Sequence, residues 1–141
     1  MAGDAAKERG AAIVPTLHYR DAGAAIEWLC KAFGFAKKMV VPGEGGRVAH
    51  AELTFGNSMI MLGDAETEYS NLVAAPAKGS PVSQGLYVVV ADADAHHERA
   101  KAAGAEIVLD LTTKDYGGRD YTCRDPEGHL WTFGTYDPWA S

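Results

Sequence analysis

Along the first third of the chain, Ile13, Pro15, Leu17 and Tyr19 alternate with Val14, Thr16 and His18, the period of two expected of a half-buried strand. Pro15 has no N–H to give a ladder, so this strand starts late or lies at a sheet edge. Asp21 is placed to cap a helix in which Ile26, Leu29, Cys30 and Phe33 recur at three- and four-residue intervals up to Gly34, a helix-ending residue. Runs 35–41, 47–55 and 57–62 then read as strands, separated by Pro42-Gly43-Glu44-Gly45-Gly46 and by Gly56. The order spelled is β-α-β-β-β.

Residues 64–84 show no period and carry Ala-Pro and Gly-Ser-Pro, the composition of a surface connection. The pattern then begins again. A strand over 86–91 leads to Asp92, which caps an Ala-rich helix ending at Gly104, and strands follow over 106–111, 119–124 and 130–136. Asp125-Pro126-Glu127-Gly128 is type I turn chemistry. Asp21, Gly34 and Gly56 align with Asp92, Gly104 and Gly128 at offsets of 71, 70 and 72 residues, so the chain is an internal repeat. The expected fold is α+β, two β-α-β-β-β modules in tandem. Module one spans 13–63, the linker 64–84 and module two 85–137, after a frayed tail over 1–12. In each module a helix covers one sheet face and leaves the other for a ligand.

At 141 residues, 47% of them hydrophobic, the chain has enough apolar material for such a core. Its formal net charge of −6 repels phosphate backbones and anionic lipid surfaces, so no nucleic acid or membrane partner is expected. Cys30 and Cys123 fit no metal or redox spacing and are expected to be reduced, mostly buried thiols. The first residues lack the apolar stretch of an export signal, so a cytoplasmic location is expected. Neither a nucleophile elbow, a Walker loop nor a dinucleotide fingerprint is present.

The segments IVPTLHYRDAGAAIEWLCKAFGF, HAELTFGNSMIML and DPEGHLWTFGTY resemble the glyoxalase and bleomycin-resistance members of the vicinal oxygen chelate superfamily. The resemblance implies the paired β-α-β-β-β fold and a groove between paired sheets. In metal-dependent members that groove holds a divalent ion on His or Glu from the first and fourth strands of each module. Carried over residue by residue, those positions hold Val14, Met61, Leu86 and Thr132 here. Aliphatic and thioether groups cannot replace oxygen or imidazole donors at about 2.0–2.2 Å. No metal ligand and no cofactor are therefore expected.

The function this implies is a metal-free protein that binds or sequesters a small molecule, as a homodimer. Val14, Thr16, Met59, Met61, Leu86, Val88 and Leu130 would give contact area, with His18, His50, Glu52 and Thr132 orienting polar atoms. His50 and Glu52, two apart on one strand, share a face. They read either as a base with its orienting partner or as a hydrogen-bonded polar patch. The alternatives are a lyase or isomerase with a shifted ion on His18, His50 and Glu52, or metal-free acid–base catalysis by His50 and Glu52. His96, His97 and His129 read as solvent, interface or turn side chains, and Trp131 as core. Trp28 points off the Ile26, Leu29, Phe33 stripe by helical angle. Asp115, Tyr116, Arg119, Asp120 and Tyr121 cluster about Gly117-Gly118, as a rim or as a solvated hairpin.

Overall fold

The computed structural model describes residues 10–66 and 71–140, so most of the expected tail and part of the expected linker fall outside the described residues. The chain divides into two units, Met1–Ala75 and Pro76–Ser141. Both carry the same element order, and the architecture is the α+β tandem of the repeat.

The first unit comprises β1 (Thr16–Tyr19), α1 (Ala22–Phe33), β2 (Ala36–Pro42), β3 (Val48–Phe55) and β4 (Ser58–Asp64). Its sheet runs β1-β4-β3-β2, with β1 parallel to β4 and the other pairs antiparallel. Pro15 does delay the strand, and its carbonyl accepts from Met61 N at 2.9 Å just ahead of the ladder. Asp21 caps α1 by accepting from Ala24 N at 3.0 Å. Gly34 ends the helix in the left-handed conformation, φ 89°, its N–H reaching Cys30 O. Ile26, Leu29 and Phe33 bury one stripe of α1 while Leu17, Tyr19, Ala51, Leu53, Ile60 and Leu62 bury one face of the sheet. Each fully buried Leu or Phe contributes about 2 kcal/mol. Trp28 reaches back toward this stripe, its ring edge-on to Phe33 at 4.9 Å.

The second unit comprises β5 (Gly85–Val89), α2 (Ala93–Ala102), β6 (Glu106–Thr113), β7 (Arg119–Arg124) and β8 (Leu130–Gly134), in the sheet order β5-β8-β7-β6. Asp92 caps α2 by accepting from Ala95 N at 3.0 Å. Among the described residues of α2 only alanines are fully buried, and the bulk is supplied instead by the two histidines. His96 stacks on Phe133 at 4.1 Å with Nδ1 2.5 Å from the Tyr121 hydroxyl. His97 meets the Tyr121 ring edge-on at 5.0 Å, and its Nε2 lies 3.0 Å from Asp110 Oδ1. The expectation of solvent or interface histidines is corrected in part: both are half-buried, and on a helix with no large aliphatic residue their imidazoles pack against Tyr121 and Phe133. Trp131 is fully buried, as expected, and so is Phe133. No helix among the described residues is long and apolar enough to cross a membrane.

Candidate functional site

Residues paired across strands point to the same side of a sheet. In the first unit, Thr16 pairs with Met61, Met61 with Glu52, Thr54 with Met59, and His18 with Gly63. Thr16, His18, His50, Glu52, Met59 and Met61 therefore share the face away from α1. Thr16, His18, His50 and Met61 also line one cavity of about 1120 Å³, closed on one side by the loop from Gly43 to Arg47 and by Val48. Met59 lies on the same face outside that lining, and Val14 is half-buried ahead of β1.

His50 Nε2 and Glu52 Oε2 lie 2.9 Å apart, and Lys38 Nζ donates to Glu52 Oε1 at 3.3 Å. The His50 hydrogen bond first, and Lys38 second, hold the Glu52 carboxyl below its ordinary value. A folded-state value depressed in this way gives a contribution present at neutral pH and lost as pH falls through the lowered midpoint. In a carbon-detected NMR titration, Glu52 is expected to titrate below the usual glutamate range and to move upward in His50→Ala. An unchanged midpoint in that variant would refute the pairing.

Three residues of this site were not read from the sequence. Lys38 is one: its strand bulges between Lys37 and Met39, so plain alternation does not assign faces along β2. Arg47 is another, and it pairs with Glu66 at 2.6 Å at the cavity rim. Asp64 is the third, 5% exposed, accepting from Ala22 N at 3.1 Å and Val48 N at 2.5 Å. It ties the start of α1 to the start of the strand that carries His50. A carboxylate at a strand end gives no sequence signal for that role.

In the second unit the register corrects two site residues. Leu86 pairs with Trp131 and Val88 with Phe133, so both face α2, whereas Gly85 and Tyr87 pair with Leu130 and Thr132 on the open face. Thr132 shares a 2.8 Å hydroxyl contact with Thr122, and Leu130 lies opposite Arg124. The expected hairpin rim also divides. Arg119 turns toward α2, where Nε and Nη2 each meet Asp94 at 3.0 Å, and Tyr121 is fully buried there. Tyr116 and Asp120 remain together, the hydroxyl donating to Oδ2 at 3.3 Å. His129 is half-buried after its turn.

The cysteines differ. Cys123 is buried, and burial first and Asp125 second push its thiol up to about 12, while Cys30 is half-buried and raised by burial and Glu27. Iodoacetamide at pH 8 is expected to modify Cys30 slowly and Cys123 only after unfolding, read by peptide mass spectrometry. Native labelling of Cys123 would contradict that burial.

Two sheets built from one repeated β-α-β-β-β order, each with a helix on one face only, define a tandem α+β protein with an open sheet face in each unit. The family model described as the Glyoxalase/Bleomycin resistance protein/Dioxygenase superfamily matches residues 12–133, and the chain belongs to that family. An uncharacterized protein of Mycobacterium bovis is 33% identical over 126 residues, covering 87% of this chain and 82% of that protein. The structure of TioX from Micromonospora sp. ML1 is similar at TM-score 0.72 and 36% identity, over 89% of this chain and 98% of that one. The fosfomycin resistance protein FosX from Listeria monocytogenes, complexed with Mn(II) and a dihydroxypropylphosphonic acid, matches at TM-score 0.66 and 15% identity over 89% of each chain. At that identity the likeness is one of fold.

A divalent ion such as the manganese in that FosX structure does not suit the residues here. Val14, Met61 and Thr132 offer at most one hydroxyl, and the open-face residue of β5 beside Leu130 is Gly85, which has no side-chain donor. Correcting Leu86 to Gly85 leaves the donor count unchanged. Among the described residues no group of three or more His, Cys, Asp or Glu side chains could hold a metal ion, and His18, His50 and Glu52 do not form one.

Proposed function

We propose that this chain binds a small organic molecule without a metal ion, against the open face of the first sheet, and holds it without turnover. The observation that carries this reading is the cavity of about 1120 Å³, in which Met61 and Thr16 offer contact area and His18 and His50 offer orienting nitrogens. Its volume is of the size that takes a drug-like ligand. A thioether supports adaptable apolar contact rather than charge.

A thermal-shift screen in EDTA, with metal-free bleomycin among the compounds, tests it. A binder is expected to raise Tm by roughly 4 °C or more at saturating concentration. Met61→Arg, which puts a bulky cation into the cavity, is expected to remove that shift while the protein stays folded. Stabilisation seen only after manganese or zinc is added, or unchanged in Met61→Arg, would overturn the proposal.

A second reading, acid–base catalysis, is favoured by the 2.9 Å contact between His50 and Glu52. The two separate in His50→Ala: loss of chemical conversion of the screened ligand with binding retained favours catalysis, and no conversion in either protein favours sequestration. A homodimer belongs to the same proposal. Sedimentation velocity would then give twice the chain mass, and a monomer at micromolar concentration would refute it.

A further inference from the structure

The pairing of Tyr116 with Asp120 belongs to the second unit, shares no residue with the cavity lining just described and has no part in the reading above. Asp120 is 8% exposed and lies opposite Gly134 in the β7–β8 ladder. Among the described residues its oxygens meet the Tyr116 hydroxyl at 3.3 Å and Lys114 Nζ at 3.7 Å. Both are long beside the roughly 2.7–2.9 Å of a good charge-assisted bond, so a buried carboxylate keeps unspent acceptor capacity.

Two phenols, Tyr87 and Tyr116, lie within electrostatic reach of it, and a third, Tyr136, stands against Tyr116. A Cβ on Gly134 would fall 2.5 Å from the Tyr87 hydroxyl and 2.8 Å from Asp120 Cβ, so the bare glycine is what lets both side chains lie over this position. A Cβ on Gly118 would fall 2.7 Å from Tyr136 Cβ, so a second glycine seats the second ring. Tyr87 donates its hydroxyl proton to Tyr136 O at 2.7 Å, which fixes its orientation. Tyr116 and Tyr136 stand nearly perpendicular, 79° apart with centroids at 5.4 Å. Burial first and the Asp120 charge second hold the Tyr87 and Tyr116 phenols above their ordinary value. All three rings stay 41–62% exposed, so a ligand can reach their faces.

The geometry points to a binding site for an organic ammonium group, its charge met by Asp120 and its alkyl substituents by the rings of Tyr87, Tyr116 and Tyr136. Aromatic faces attract cations through their quadrupole, and a nearly buried carboxylate adds charge that water screens little. Lys114 holds the position loosely, at ion-pair rather than hydrogen-bond distance, and a ligand ammonium displaces it. An uncharged molecule of the same shape would gain the ring contacts alone.

Choline and its uncharged isostere 3,3-dimethylbutan-1-ol, titrated separately into the full chain and followed by NMR of the tyrosine rings, test this. Choline is expected to shift Tyr87, Tyr116 and Tyr136 saturably and to bind roughly tenfold or more tightly than the isostere. Asp120→Asn should weaken choline about tenfold and leave the isostere unchanged, while Lys114→Met should strengthen choline. Equal affinity for the two molecules, or an unaltered choline affinity in Asp120→Asn, overturns the assignment. Should Asp120→Asn not fold, Tyr116→Leu at the exposed ring decides instead: several-fold weaker choline supports the site and unchanged binding overturns it.

Discussion

Asp125→Ala is expected to destabilise the second unit by about 4 kcal/mol. Asp125 is 4% exposed, and Oδ1 accepts from Glu127 N at 3.0 Å and His129 N at 3.1 Å. Its other oxygen accepts from Trp131 Nε1 at 3.1 Å, which satisfies the indole of a fully buried ring. Alanine strands three donors, one of them in the core, and each stranded buried donor costs about 1–3 kcal/mol. Asn at this position can keep the two turn bonds but turns an amide N–H₂ toward the indole N–H, so an intermediate loss of about 2 kcal/mol is expected. Urea unfolding followed by far-ultraviolet circular dichroism measures both. A loss under about 1 kcal/mol in Asp125→Ala would refute the role.

Asp64→Ala should cost about 3 kcal/mol in the first unit and weaken ligand binding as well. The two backbone donors it satisfies, Ala22 N and Val48 N, open α1 and β3, and Val48 with its neighbours lines the cavity. Losing the clamp frees the segment that positions His50, so affinity should fall with stability. Urea unfolding and titration of any binder from the thermal-shift screen check the two effects. Full affinity in a destabilised Asp64→Ala would separate the clamp from the site.

The sequence carried the fold well because the repeat is written in caps and turns. Asp21 and Asp92 both cap helices whose first residues are Ala22 and Ala93, and Gly34 ends the first as expected. The first-unit face was equally legible, since Leu17, Tyr19, Leu53 and Leu62 are apolar where His18, Glu52 and Thr16 are polar. In the second unit that contrast vanishes. Leu86, Tyr87, Val88 and Val89 are apolar on both sides, so alternation cannot orient β5, and only pairing with Trp131 and Phe133 does.

Loop length produced the rest of the slip. Phe55 pairs with Ser58 across two residues, but Arg124 pairs with Leu130 across five, so aligning the two turn glycines shifts the repeat by one. The roles of Asp64 and Asp125 were illegible for another reason: each depends on backbone donors brought together by tertiary folding. His96 and His97 sit among charged neighbours in sequence, and what half-buries them is ring contact with Phe133 and Tyr121, residues far away in the chain.

The lack of any imidazole or carboxylate at Val14, Met61, Gly85 and Thr132 is tested most directly by elemental analysis of the full chain. Protein purified without chelator, then exposed to equimolar manganese, nickel and zinc and desalted, is measured by inductively coupled plasma mass spectrometry. The account predicts far less than one ion per chain, with binder affinity the same before and after EDTA. One tightly held ion per chain, whose removal abolishes binding, would contradict it.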